Sequence, residues 1–523
     1  MTSRTTESLF EQYGPAYKWL ATMTVVMGTL ASALSTTMVN VAIPDIMGTF
    51  GVGQDQGQWM STAFIAANTA TMLVNAWCVH AFGQRNTYVW AMGLFIVGSL
   101  IGGFGNHIDV LTFARIMQGA AAGLLAPLAM FTMFRVFPDD QRGKAMGYYG
   151  IGVILAPAFG PVIGGILVDV FNWRATFFVA PIFCIFGVIC GMLFLPDRED
   201  TGPVRRFDWL GLALLGVFLS TTLIGLTNGQ RFGWGSDYIL SLLFTGVASA
   251  VAFVLWELYT DNALLELRVF KSLGFTAASG VSFLYGAGLL GSTYLIPLFV
   301  QTTLGYSPTL AGLLLMPAGL MMSFLFPIAG FASDKIAAHI PIIAGFVIFG
   351  GSCVVLFDVD VSITFALLAF YIAMGRVGLT LIMPSVSVGA VSSLPPSMLG
   401  QASGVVNFMR QLGGAFGVNL ISVYLATRIG FHSDHLASTQ LPDNSSTTSL
   451  LSTISALYGQ LGLPDATAAA GSFHFLGRVI YAKATLFGFR DAFVVIGIVF
   501  FIGIIPALVM GYSRKKPVLP EQP

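Results

Sequence analysis

Fourteen uninterrupted apolar runs are spaced along this chain. Each is close to the roughly 20 residues that an α-helix needs to cross a hydrocarbon core. They cover residues 18–42, 58–80, 87–105, 109–132, 144–168, 174–195, 208–229, 238–257, 275–301, 309–331, 340–357, 362–390, 401–427 and 490–512. The runs are continuously apolar, so they read as helices; barrel strands would alternate apolar and polar positions. The pattern predicts an all-α integral membrane protein with fourteen transmembrane helices. A first run can also be a cleaved signal, and Ala31-Ser32-Ala33 looks like a cleavage site. However, the polar start carries Glu7 and Glu11, and the apolar character continues to Pro44, so the run reads as a retained span.

Composition points the same way. Only 9% of the 523 residues are charged, against about a quarter in soluble chains, and the mean hydropathy is +0.81. The 24 basic and 24 acidic residues cancel, which excludes a basic nucleic-acid binder and an acidic disordered chain. Cys78, Cys184, Cys190 and Cys353 all lie in apolar runs and read as small buried hydrophobes.

The basic residues orient the chain. With the N-terminus inside, Arg4, Lys18, Arg85, Arg135, Arg142, Lys144, Arg198, Arg205, Arg206, Arg268, Lys271, Lys335, Arg514, Lys515 and Lys516 fall on the inner side. Arg174, Arg231, Arg428, Arg478, Lys483 and Arg490 fall outside. This excess predicts an even number of spans with both termini cytoplasmic. The expected organisation is a cytoplasmic start (1–17), a six-helix half (18–195), two linker spans with their loops (196–274), a second six-helix half (275–512) and a cytoplasmic tail (513–523).

Residues 429–489 form a polar outer loop inside the second half. Leu450, Ile454, Leu457 and Leu461 recur at helical spacing, and a second helix over 466–487 would follow Asp465 as N-cap. The loop reads equally as a helix lying on the membrane and as a docking surface. His432 and His435 lack a firm third ligand, so no metal site is assigned, and Asn444-Ser-Ser446 is a common triplet.

An internal repeat organises the rest. Ala76-Trp-Cys-Val-His80-Ala-Phe-Gly83-Gln-Arg85 follows span two, and Gly330-Phe-Ala-Ser-Asp334-Lys335 follows span ten, with 254 residues between His80 and Asp334. Leu124-Leu-Ala-Pro127 and Leu381-Ile-Met-Pro384 lie at an offset of 257. Two related halves with two added spans account for both, and such repeats place a substrate site near the midplane between the halves. Span five reads Gly152-Val-Ile-Leu-Ala-Pro157-Ala-Phe-Gly160-Pro161-Val-Ile-Gly164-Gly165. Glycines four apart admit close helix approach and prolines bend the helix, so this span is the candidate hinge or gate. Arg115, in span four, needs a wet cavity or a partner, and Gln118 shares its face.

These motifs resemble the major facilitator superfamily, and within it the fourteen-span drug:proton antiporters of EmrB/QacA type, EmrB-like branch, over nearly the whole chain. The resemblance is carried by Asn40-Val-Ala-Ile-Pro44, Gly83 with Arg85, Arg115-x-x-Gln118-Gly119 and Ala156-Pro-Ala-Phe-Gly160-Pro161-x-x-Gly164-Gly165. Trp173-Arg174 with Phe177-Phe178, Asn407-Phe-Met-Arg410-Gln411 and the long outer loop add to it. Two positions depart from the family pattern: Ser35 and His80 stand where the family usually has Asp, whereas the second-half copy keeps Asp334. The resemblance implies a proton-driven antiporter of the bacterial inner membrane with no cofactor. It also implies a periplasmic adaptor protein and an outer-membrane channel as partners.

No acidic residue sits at the middle of a span, while Arg115, Arg376 and Arg410 do lie within spans. A cavity exposing them would be positive, which favours amphipathic anions or weak acids as cargo. The candidate substrate and proton-coupling set is Arg115, Gln118, Asp109, Arg410, Arg376, Asn40 and Ser35. The candidate gating set is Gly152, Pro157, Gly160, Pro161, Gly164, Gly165, Gly83, Arg85 and Asp334. Tyr285 and Tyr294, with Met316, Met321 and Met322, could line a cavity but read more readily as packing. The proton carrier is either a membrane-edge acid such as Asp109 near Arg115 or the substrate's own carboxylate. No phosphate-cradling Gly-x-x-x-x-Gly-Lys loop, catalytic motif or intramembrane acid pair is present, so the chain reads as a transporter and not an enzyme. The alternatives are an exporter of a lipid, siderophore or metabolite on the same scaffold and, more distantly, a channel.

Overall fold

A computed structural model describes residues 5–52, 54–198, 206–441 and 443–513, the side chains at 54–56, 58, 151, 154, 155, 157, 158, 308 and 309 excepted. A short helix α1 (Thr6–Tyr13), capped by Thr5, precedes the bundle. The first half holds α2 (Tyr17–Phe50), α3 (Gln54–Phe104), α4 (Ile108–Val136), α5 (Arg142–Val170) and α6 (Ala175–Phe194). The linker pair is α7 (Trp209–Phe232) and α8 (Asp237–Tyr259). The second half holds α9 (Leu273–Thr302), α10 (Pro308–Lys335), α11 (His339–Val355), α12 (Phe365–Val391), α13 (Leu399–Ser438), α14 (Ser445–Gln460), α15 (Asp465–Ile502) and α16 (Ile504–Ser513).

Among the described residues, twelve helical stretches are long and apolar enough to cross a membrane. One, Trp59–Phe104, covers two of the expected runs, and α5 carries the fifth. At 1.5 Å per residue the 51-residue α3 would run about 77 Å if straight, far beyond a bilayer core of roughly 30 Å. It turns at Gly83, whose φ of +81° suits glycine and few other residues. No side chain fits there either, because a Cβ on Gly83 would stand 2.7 Å from the backbone nitrogen of Arg198.

The outer loop differs from its expected outline. α13 continues past 427 to Ser438, and the expected second loop helix is one helix with the last span, α15. Asp465 is the first residue of α15 and not its cap; Pro464 holds that place. α14 packs on α15, and α13 packs on α15 too, so both helices run on past the apolar spans and α15 carries α14. Asn444 is used structurally, its side chain accepting the Ser446 and Thr447 amides to start α14.

Small residues set the closeness of packing. α9 and α13 meet where a Cβ on Gly286 would lie 1.9 Å from the Arg410 carbonyl oxygen and one on Gly413 would lie 2.0 Å from that of Phe283. Backbone cannot step aside as a flexible side chain can. Gly286→Ala is therefore expected to destabilise the protein by about 1–3 kcal/mol, read as a lower unfolding midpoint in detergent. Gly351→Ala, with open space at its Cβ, is expected to leave the midpoint unchanged. α7 packs on both α3 and α13 and so touches both halves, and α8 packs on α7.

Candidate functional site

The halves meet along one end of the bundle, the end carrying Arg135, Arg142, Lys144 and Lys335. There α5 lies on α10 at backbone distance: a Cβ on Gly143 would meet the Gly330 carbonyl oxygen at 2.3 Å, and one on Gly147 would meet that of Phe326 at 2.8 Å. α5 has no side-chain cap of its own at Gln141. Asp334, on α10, caps it from the opposite half. Its carboxylate accepts the Gly143 amide on Oδ1 and the Lys144 amide on Oδ2, the latter at 2.9 Å. A carboxylate at a helix N-terminus meets both free N–H groups and the positive end of the helix dipole. α13 closes the same end against α3 and α4: a Cβ on Gly404 would lie 3.1 Å from the Met72 carbonyl oxygen, and Asn407 Nδ2 donates to Met130 Sδ.

The glycines of span five divide between two partners. Gly143, Gly147 and Gly150 face α10, while Gly152, Gly160 and Gly164 face Val26, Thr37 and Met38 of α2. Pro161 is exposed and Gly165 has open space at its Cβ, while the side chain of Pro157 lies outside the described residues. Gly83 and Arg85 meet the start of the linker segment and not the second half. Arg85 bonds Asp197 at 2.9 Å, and its amide donates to the Pro196 carbonyl.

The three arginines are not brought together. Arg115 is fully buried among α2, α3 and α4. Its Nη1 donates to Gln118 Oε1 at 2.8 Å and to Ser35 Oγ at 3.4 Å, and the guanidinium stands over the Phe64 ring at 4.2 Å. Gln118 is held in turn by Ser99 at 2.8 Å. Nε and Nη2 of Arg115 have no partner. Arg376 is buried in the second half beside Ser352, Cys353 and Tyr371, where Nη2 donates to Thr293 Oγ1 at 2.9 Å. Arg410 is half-buried at the seam. It donates to Asn407 Oδ1, and Tyr149 of α5 lies near its guanidinium from the other half. Among the described residues, none of the three meets a carboxylate.

Other candidates lie elsewhere. Asp109 is exposed in the first turn of α4 and is not near the guanidinium of Arg115 in any hydrogen bond or ion pair. Six residues along a helix turn a side chain well away from the starting face. Asn40 is exposed and accepts Ser61 Oγ at 2.7 Å. Tyr285 is buried; Tyr294 is exposed and meets Ser422 Oγ at 3.3 Å. Met322 is buried, whereas Met316 and Met321 are exposed. His432 and Arg428 share Asp491 Oδ2 at 2.7 and 2.6 Å, while His435 lies against Phe431, so the two histidines do not converge. Tyr149 and Asp208 stand outside the candidate residues read from the sequence, and Glu257 is read there only as an acid at a span end. An aromatic hydroxyl in span five at the depth of Arg410 was the available signal for the first.

The sequence and fold have known counterparts. Residues 25–418 match the family model described as Major Facilitator Superfamily. The chain is 29% identical over 479 residues to the multidrug export protein EmrB of Haemophilus influenzae, covering 91% of this chain and 92% of that one. It is 28% identical over 442 residues to EmrB of Escherichia coli, covering 84% and 86%. Its fold is similar to that of the human organic anion transporter MFSD10 at a TM-score of 0.60 and 14% identity, covering 92% of this chain and 99% of the other. It is likewise similar to the proton:xylose symporter XylE at a TM-score of 0.60 and 14% identity, covering 96% of each.

Proposed function

The chain belongs to the Major Facilitator Superfamily, and from that premise we propose that it is a proton-coupled exporter of amphipathic small molecules that favours anions and weak acids. It is a multi-pass membrane transporter and not an enzyme. The observation carrying the substrate preference is the set of three guanidinium groups within membrane-crossing helices, none paired with a carboxylate among the described residues. Unneutralised positive charge in a low dielectric attracts anionic cargo and leaves a cation uncompensated. The multidrug export relatives support export of hydrophobic compounds.

We place the basic-loop end in the cytoplasm, with both termini there, in a bacterial inner membrane. The seam then seals the inner face, and alternating access consists of parting it while the outer ends close. Hydrogen bonds and glycine contacts hold the seam, and such contacts can re-form repeatedly. The substrate's own carboxyl can carry the proton. Asp109, exposed and separate from Arg115, is the weaker carrier, and Asp109→Asn is expected to leave transport unchanged. The extension built by α13, α14 and α15 faces outward in this orientation, where a periplasmic adaptor protein and an outer-membrane channel would engage it.

The test is proton flux in vesicles holding the purified protein, scanned across anionic, neutral and cationic amphiphiles. Anion-dependent proton movement is expected. Strict selectivity for quaternary ammonium compounds would defeat the reading, and movement only with lipid-like or metal-chelating metabolites would favour a dedicated exporter.

A further inference from the structure

The linker helices carry two carboxyl groups that the reading above leaves unused. Asp208 caps α7 and Glu257 lies near the end of α8, and the two residues are only 6% and 4% exposed. Asp208 is well supplied with donors: the Gly211 amide at 2.8 Å and Trp256 Nε1 at 2.9 and 3.0 Å. Glu257 is not. Its Oε2 accepts the Leu265 amide at 3.2 Å, but Oε1 has no hydrogen-bond partner. The two groups are near neighbours on either side of Gly211. A Cβ on Gly211 would stand 2.3 Å from Asp208 Oδ2 and 2.9 Å from Glu257 Oε1.

We propose that Asp208 and Glu257 hold one proton between them, and that this proton-binding site latches the inner seam. Two buried carboxylates this close cannot both stay charged without large repulsion. A proton on Glu257 removes the repulsion and turns its unpartnered Oε1 into a donor for which neighbouring Asp208 is an acceptor. No third His, Cys, Asp or Glu completes a metal site among the described residues. The titratable groups nearest in sequence to this pair on the elements packed here are Cys78, His80, Arg85 and Tyr88 of α3, Tyr259 of α8, and Asp261, Glu266, Arg268 and Lys271 of the segment after α8, with Arg206 ahead of α7.

The turn joins this pair to the seam. Next to Leu265, which Glu257 holds, the Leu264 carbonyl accepts Gln401 Nε2 of α13 at 3.3 Å. The Leu264 side chain is buried against Val74 and Cys78 of α3. One short segment therefore touches the acid pair and both helices of the α3–α13 closure. Loss of the proton drives the carboxylates apart; the Leu265 amide, which the charged form holds more tightly, moves with Glu257 and shifts the neighbouring Leu264 carbonyl off Gln401. As a coupling device the site rests on the proton-driven reading above; as a protonation site it does not.

The test uses full-length protein in nanodiscs, with two measurements. Infrared titration of the wild type is expected to show a protonated buried carboxyl that is lost in Glu257→Gln. Spin labels at Phe82 and Ser397, in a background without the four native cysteines, are expected to separate as pH rises. In Glu257→Gln, which mimics the protonated acid, they are expected to stay close at every pH. Asp208→Asn removes the repulsion by the other partner and is expected to abolish the pH response as well, which covers a Glu257 variant that fails to fold. An unchanged carboxyl band, or an unchanged pH response in both variants, overturns the proposal. A separation that follows sodium, potassium or magnesium at fixed pH overturns it in favour of a metal site. If both measurements hold while vesicles show no cargo-linked proton flux, the export reading fails and the site stands.

Discussion

Asp334→Ala is expected to open the seam and collapse transport. The carboxylate accepts two backbone amides of α5 across the halves. Hydrogen bonds to a charged group contribute about 1.5–3 kcal/mol each. Losing both shifts the balance between sealed and parted seam by on the order of a hundredfold or more, since about 1.4 kcal/mol is tenfold. The α5 amides are also left uncapped, because Gln141 offers no side-chain cap. Asp334→Asn keeps one acceptor oxygen and loses the charge that the helix dipole favours, so its effect is expected to be intermediate. Folding survives, since the packing within each half does not use this carboxylate. The check is reagent access to single cysteines placed on the facing surfaces of α5 and α10, together with vesicle transport. Unchanged access in the alanine variant would show that the glycine contacts alone hold the seam.

Asp334 also shows what the sequence could and could not disclose. The repeat picks it out, because it stands where the first half has His80. What it caps could not be read, because its partners lie 190 and 191 residues away and belong to another helix's terminus. Hydrophobic runs located the spans well, since lipid demands apolar residues wherever a helix crosses. They do not locate helix ends, because the same helix continues into water once its residues turn polar. For that reason α15 begins at Asp465, although the apolar run begins at 490. In span five the glycine spacing signalled close packing, yet spacing cannot say which neighbour fills each notch. Gly147 meets α10 and Gly160 meets α2. Glu257 was visible as an acid at a span end, but Asp208 sits across from it on a different helix, and only packing reveals the pair.

Arg115→Met is expected to remove anion export while sparing much of the fold. Methionine fills most of the volume of the arginine stem without the charge, so the core among α2, α3 and α4 keeps its bulk. The charge matters because two guanidinium nitrogens, Nε and Nη2, are unpartnered in a fully buried setting. Removing one partner of a buried, hydrogen-bonded charge pair costs about 2–5 kcal/mol. If cargo carboxylate is that partner during transport, anion export falls by roughly 30-fold to several thousandfold. Neutral amphiphiles lose far less. Arg115→Lys separates charge from shape: it retains the charge but cannot reproduce the planar fork that reaches Gln118 and Ser35 while lying over Phe64. Partial recovery of anion export in the lysine variant is therefore expected. Equal losses for anionic and neutral cargo in the methionine variant would instead make Arg115 a packing post tying α2 and α3 to α4, and the positive site would then rest on Arg410 at the seam.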